Sequence, residues 1–156
     1  LADNLGIKRS EAKTMIEQYF EKYAGLKQYM DDIVIKAREH GFVETLTGRR
    51  RYLRDINSGN FTVRGFAERN AINSPIQGTA ADLIKIAMIN IQAEMKKREL
   101  KSRMILQVHD ELLFDAHKDE KDELNELVTS LMSSAMTLKV PLLAEAGFGA
   151  NWLEAH

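Results

Sequence analysis

Apolar residues at Ala12, Met15, Ile16, Tyr19, Phe20 and Tyr23 recur at alternating steps of three and one. That spacing marks one face of a helix beginning after Ser10, with Ser10 as its N-cap. Ala24-Gly25 interrupts the pattern, and Leu26, Tyr29, Met30, Ile33, Val34 and Ala37 resume it until Gly41 supplies a C-terminal stop. The period then shortens. Phe42–Leu46 and Arg51–Ile56 are β-rich runs around Thr47-Gly48, which predicts a hairpin, followed by the polar loop Asn57-Ser58-Gly59-Asn60. A helix is predicted from about Thr62 to Asn73, and Ser74-Pro75 either kinks it or restarts it with Pro75 in the first turn. Ile76, Ala80, Leu83, Ile84, Ala87, Met88, Ile91 and Met95 continue an apolar face. Met104–Val108 and Leu112–Phe114 are two apolar runs separated by His109-Asp110-Glu111, and Leu124, Leu127, Val128, Leu131, Met132 and Ala135 mark another amphipathic helix. Leu142–Ala146 reads as a last strand. Helices and hairpins without regular β-α-β alternation predict an α+β fold, an antiparallel sheet covered by helices on one side.

Composition narrows the chemistry more than the fold. The 156 residues, 44% hydrophobic and 29% charged, suit one domain or a large piece of one. Zero cysteines remove disulfides, thiolate metal sites and cysteine nucleophiles, which leaves carboxylates as metal ligands and suits a reducing cytosol. No run of eighteen apolar residues and no signal-peptide pattern is present, so the expectation is a soluble, intracellular chain with no membrane partner. The net charge of −1 hides a gradient. Arg49, Arg50, Arg51, Arg54, Arg64 and Arg69 stand against Asp55 and Glu68, whereas eight carboxylates between Asp110 and Glu126 face only Lys118 and Lys121. The first stretch suits phosphates and the second suits cations; both also suit plain solvated faces.

Two constellations carry specific chemistry. His109-Asp110-Glu111 sets two carboxylates side by side between two apolar runs that read as buried strands, and a divalent cation such as magnesium relieves their repulsion. A polar hairpin tip with one carboxylate capping a backbone amide fits the same pattern. Arg69, Asn73 and Gln77 are spaced four apart, so on a helix they climb ~6 Å and drift ~40° per step and form one polar row. Guanidinium and carboxamide groups donate to the purine N3 and pyrimidine O2 acceptors that every base pair shows in the minor groove. A solvent-facing or capping stripe near Pro75 is the alternative. Other motifs fail: no phosphate loop, no third glycine or flanking strand for Gly147-x-Gly149, no metal spacing among His40, His109, His117 and His156, and no nucleophile elbow. Trp152, Tyr19, Phe20 and Tyr23 read as packed core.

Gly48-Arg49-Arg50-Arg51-Tyr52-Leu53, then Glu68-Arg69-Asn70-Ala71-Ile72-Asn73-Ser74-Pro75-Ile76-Gln77-Gly78-Thr79-Ala80-Ala81-Asp82, then Gln107-Val108-His109-Asp110-Glu111, then Asn151-Trp152 follow one another in an order and spacing that resembles the C-terminal part of bacterial family A DNA polymerases. The resemblance covers essentially the whole chain. It implies an antiparallel palm sheet at residues 41–156, preceded at residues 1–40 by the last helices of the fingers, in a truncated piece of a cytoplasmic bacterial enzyme. It implies that Asp110 is similar to the second metal-binding aspartate of the palm, with Glu111 the less direct carboxylate beside it and Mg2+ the cofactor. By the same likeness His109 lies near the primer terminus, and Arg69, Asn73 and Gln77 touch the minor groove of primer–template DNA. The family's first metal-binding aspartate and its nucleotide-binding helix have no counterpart here and are expected before Leu1. Two-metal addition of deoxynucleoside triphosphates to a primer 3′-hydroxyl needs both carboxylate strands, so the piece alone is expected to be inactive. The face of residues 1–40 that should pack on the missing N-terminal parts of the polymerase is then a route to self-association.

Overall fold

The structure, a computed structural model, describes residues 2–155. Two compact units divide the chain inside one long helix, the first ending at Ile76 and the second beginning at Gln77.

In the first unit a short α1 (Ala2–Leu5) leads into α2 (Arg9–Lys22). The cap of α2 is Lys8, whose backbone N–H donates to Glu11 Oε2 at 3.1 Å; Ser10 lies within the first turn and is not the cap. Tyr23 breaks the helical geometry, and α3 (Ala24–His40) follows at once. It stops where expected, at Gly41, which adopts φ 76° and donates its N–H to Ala37 O at 2.8 Å. A left-handed residue there closes the last turn without the Cβ penalty another residue would carry.

β1 (Phe42–Glu44) pairs antiparallel with β2 (Arg50–Tyr52), in the register Phe42–Tyr52, Val43–Arg51 and Glu44–Arg50. The hairpin is therefore shorter than its β-rich runs. Leu53 and Ile56 leave the ladder through a turn, Ile56 N–H to Leu53 O at 3.1 Å, and both side chains are buried. A spacing of three turns both inward, which a strand's alternation cannot do. They join Ala37, Val43, Ala67 and Ala71 in the first core, flanked by Ile33 and Val34.

The long helix α4 (Phe61–Lys97) starts from an Asn60 cap, whose Oδ1 accepts the N–H groups of Thr62 at 2.9 Å and Val63 at 3.3 Å. It contains Pro75 and neither ends nor restarts there. A proline inside a helix forfeits one ladder hydrogen bond and costs about 3 kcal/mol, so packing on either side of it must hold the helix together. Ala67 and Ala71 do so before it, and Ala87, Ile91 and Met95 after it. Ile76 and Ala80, expected on the apolar face, are exposed.

In the second unit β3 (Arg103–Val108) pairs antiparallel with β4 (Glu111–Asp115), with an irregularity between Met104 and Leu106. A 3-10 turn at Lys118–Glu120 leads into α5 (Lys121–Ser133). Leu124, Leu127 and Val128 of α5 pack with Ala87, Ile91 and Met95 of α4, and Leu112 and Phe114 of β4 lie against that core. Arg98 joins the two helices, donating to Glu94 at 3.0 Å and to Glu123 at 3.1 Å; these carboxylates hold its pKa above the ordinary value.

The α+β reading holds, with two separate two-stranded sheets in place of one larger sheet. The expected strand Leu142–Ala146 does not form. Among the described residues no strand lies beside it to complete a ladder, and Leu143 is 87% exposed. A short α6 (Trp152–Ala155) follows. Gly147 and Gly149 serve its close approach: a Cβ on Gly147 would fall 1.9 Å from Ala155 O, and one on Gly149 2.6 Å from Glu154 Cβ. Tyr19, Tyr23 and Trp152 are not core, being 46–49% exposed. No helix among the described residues is long and apolar enough to cross a membrane.

Candidate functional site

The β3–β4 ladder closes on the pair Val108–Glu111, so His109 and Asp110 are the whole of a two-residue turn. His109 takes φ 52° and Asp110 does not share a positive φ, the pattern of a type II′ turn, whose first central position ordinarily belongs to glycine. The amide of Gln107 folds back onto the tip, donating Nε2–H to His109 O at 2.7 Å. A histidine held in left-handed geometry at an exposed tip stores strain of the kind that gathers at functional sites.

Asp110 is exposed, and its carboxylate has no hydrogen-bond or ion-pair partner among the described residues, so it caps no backbone amide. Glu111 is half-buried at the start of β4. An open carboxylate is the hard oxygen donor that magnesium takes. No group of three His, Asp or Glu residues converges to hold a metal among the described residues. Asp110 can thus offer a single carboxylate to a cation, and the described residues do not by themselves make a complete metal site. His156 lies outside the described residues.

Arg69, Asn73 and Gln77 all fall within α4 and all are exposed, while Ala67 and Ala71 turn into the first core. The Arg69 guanidinium lies 5.9 Å from the centre of the Phe66 ring. Asn73 and Gln77 have no side-chain partner among the described residues. Arg69 and Asn73 in the first unit and Gln77 at the start of the second are thus open donors, and none of them acts as a cap.

The basic run divides into bound and open arginines. Arg50 donates to Glu44 Oε1 at 2.7 Å and stacks 4.4 Å from the centre of the Phe42 ring, and the Glu44 hydrogen bond holds its pKa above the ordinary value. Arg64 donates to Ser58 O at 2.8 Å. Arg51 and Arg54 are exposed and without a partner among the described residues.

Sequence reasoning missed one cluster. Glu120 accepts Lys101 N–H at 2.9 Å on Oε1, and Ser102 N–H at 2.8 Å and Ser102 Oγ–H at 2.7 Å on Oε2. Ser102 Oγ in turn accepts His117 N–H at 2.9 Å, and Ser102 is 5% exposed. The Lys101 amide, with Ser102 after it, holds the Glu120 carboxyl far below the usual carboxylate range, at about 2. Glu120 reads in sequence only as one acid among eight, and its partners lie 18 and 19 residues away. A small polar residue directly before an apolar strand, Ser102, was the one local signal.

The sequence profile of DNA polymerase family A matches residues 1–154. Over 155 residues, 99% of this chain, the identity is 55% to DNA polymerase I of Lactococcus lactis subsp. lactis (strain IL1403) and 52% to DNA polymerase I of Bacillus caldotenax. The matched segment is 18% of each of those proteins, so the chain spans under a fifth of the curated relatives it matches. Among solved structures, the POL domain of Pol1 from M. smegmatis, in complex with DNA primer-template and dNTP, is similar with a TM-score of 0.97 and 48% identity. That match covers 99% of this chain and 27% of the other. A match along nearly the whole length, in sequence and in fold together, leaves one assignment: the chain belongs to DNA polymerase family A.

Proposed function

We propose that this chain works as part of a longer DNA polymerase of the DNA polymerase I type, adding deoxynucleotides to a primer 3′-hydroxyl under the direction of a template. The observation that carries the reading is the likeness, at 48% identity and a TM-score of 0.97, to a polymerase domain solved with DNA primer-template and dNTP. Residues 1–40 then belong to the fingers and residues 41–156 to the palm.

In this reading Asp110 supplies one carboxylate ligand to a divalent site completed from outside the chain, with Mg2+ as the fitting ion. When bound, Mg2+ supplies Lewis-acid activation of the primer hydroxyl and charge neutralisation at the triphosphate. Glu111 supports Asp110 from the first position of β4. His109 lies at the same turn and meets the primer terminus. Arg69, Asn73 and Gln77 donate to minor-groove acceptors common to all base pairs, so they hold the duplex without reading its sequence. With one metal-binding carboxylate, the isolated chain is inactive.

The test uses the full-length polymerase carrying this chain. Asp110→Ala is expected to reduce primer extension by more than ~100-fold, beyond the ~10–100-fold typical of outer-shell partners. Duplex binding should stay near wild type, and Glu111→Ala should cost less. Near-normal extension by the Asp110 variant at ordinary magnesium would refute its role and favour a non-catalytic DNA-gripping module. The purified 156-residue chain, given magnesium, primer–template and all four deoxynucleotides, should match the no-enzyme control. Extension by that chain, lost on Asp110→Ala, would show it to be catalytically complete.

A further inference from the structure

We propose that Glu120 is a positioning residue for nucleotide addition: it clamps the base of the β3–β4 hairpin to the start of α5 and thereby fixes where the Asp110 tip stands. The inference rests on the reading of Asp110 as a metal-binding carboxylate.

The hairpin has two ends. At one end are His109 and Asp110. At the other, Ser102 immediately precedes β3 and His117 follows β4 by two residues, and these are the residues the Glu120 cluster ties together. Both oxygens of one carboxylate are used, by the Lys101 amide on one side and by the Ser102 amide and hydroxyl on the other. The Ser102 hydroxyl passes the constraint across the ladder by accepting the His117 amide. Both strands are thus gripped at their base by two linked side chains, Glu120 on the β3 side and, through it, Ser102 on the β4 side.

The Glu120 side chain is itself anchored. Glu120 is the residue before α5, and Leu124, Leu127 and Val128 of α5 are buried against α4. The tip, in contrast, is exposed at both His109 and Asp110. Between base and tip, Leu112 and Phe114 rest on the second core and act as a fulcrum. From the Phe114 fulcrum the four residues to Asp110 make an arm of about 13 Å at ~3.3 Å per residue, on which a tilt of about 4° moves the tip by about 1 Å. A displacement of ~1 Å at reacting groups can cost ~100-fold in rate. Ladder hydrogen bonds keep the two strands together but do not set their tilt. The clamp at the base does.

In the full-length polymerase carrying this chain, Glu120→Ala is expected to lower kcat for single-nucleotide addition by about 10–100-fold while the primer–template Kd and the nucleotide KM change by less than about threefold. Glu120→Gln keeps one acceptor oxygen and should fall between. On the 156-residue chain, hydrogen exchange at the amides of Val108, Asp110 and Glu111 should quicken in Glu120→Ala, with Leu127 and Val128 in α5 unchanged. Should Glu120→Ala fail to fold, Ser102→Ala removes the hydroxyl's bonds to Glu120 and His117, leaves the two amide bonds to Glu120, and must show the same kcat-only loss, smaller in size. A variant that melts earlier yet keeps wild-type kcat, or one that loses kcat and duplex binding together, overturns the positioning role. The two readings fail separately. A dead Asp110→Ala beside a fully active Glu120→Ala overturns only this inference, whereas an active Asp110→Ala overturns the reading beneath it.

Discussion

Three residues in the candidate site carry predictions of two opposite kinds. Arg69 and Gln77 are open donors with no competing protein acceptor among the described residues, so their loss should weaken duplex binding without disturbing the helix. In the full-length polymerase Gln77→Ala is expected to raise the primer–template Kd by about 2–12-fold, the value of one neutral hydrogen bond, and Arg69→Ala by more, because its donor is charged. Both effects should be alike on duplexes of unlike sequence, measured by titration at one fixed salt concentration; a loss confined to one base composition would sink the common-acceptor account. His109 differs, since its cost is paid in the backbone. At φ 52° it occupies a position that glycine fills without strain, and His109→Gly is expected to stabilise the isolated chain by up to about 1 kcal/mol, a rise of ~2–4 °C in the melting midpoint at this size. The same change should slow nucleotide addition in the full-length polymerase. A variant that melts lower would show that the histidine is not strained there.

At the level of elements, periodicity is reliable where one face of a segment is buried by the segment's own neighbours. α3, α4 beyond Ala80, and α5 follow their apolar spacing because Ala37, Ile91 and Leu127 reach cores built within this chain. The misses share one cause: the pattern records that a side chain is apolar, not what lies opposite it. Leu142–Ala146 is apolar enough for a strand but has no partner strand beside it, and Leu53 and Ile56 are β-rich yet are drawn into a turn by the first core. At Pro75 the sequence left a kink and a restart both open, and the choice of a continuing helix depends on packing at Ala67, Ala71, Ala87 and Ile91 and not on Pro75 itself. For the site, the turn and the helix row were legible because each is local, whereas the Glu120 clamp joins residues 15–19 positions apart. That clamp gives the second unit a pH dependence of definite sign. Its pKa falls from the ordinary 4.5 to about 2 on folding, so its stabilisation is complete above about 4.5 and is lost as pH drops through 2. Melting midpoints of wild type and Glu120→Gln, measured from pH 6 downward, should differ at the top and converge across that window. A gap that stays constant to pH 2 would show that the carboxylate charge does not hold the clamp.

On the scale of the whole molecule, each unit is held by a small core, the first of them rich in alanine, and many large apolar side chains remain outside both. Exposure of this kind marks surfaces that another body covers, in keeping with a chain that spans 18% of its relatives. The best-defined case is α2. Met15, Ile16 and Tyr19, with Tyr23 just after the helix, are 44–51% exposed, and a spacing of one and three keeps the first three on one stripe. The Tyr19 and Tyr23 rings sit 4.9 Å apart and already form a continuous apolar surface, while Ala12 is the only residue of the helix to reach full burial. The stripe is ridged with charge, including the exposed Lys13–Glu17 pair at 3.7 Å, which contributes solubility and little stability. The 156-residue chain alone should therefore self-associate through α2 between about 1 and 100 μM, where about 5–8 kcal/mol of association free energy is read. Sedimentation velocity across that range should show a concentration-dependent rise in mass. Ile16→Lys with Tyr19→Glu places charge at the centre of the stripe without touching the buried Ala12, and it should return the chain to monomer with its circular dichroism and melting midpoint unchanged. Equal association by this double variant would move the sticky surface elsewhere, and a wild-type chain that stays monomeric at 100 μM would mean that the stripe is too narrow to bind itself.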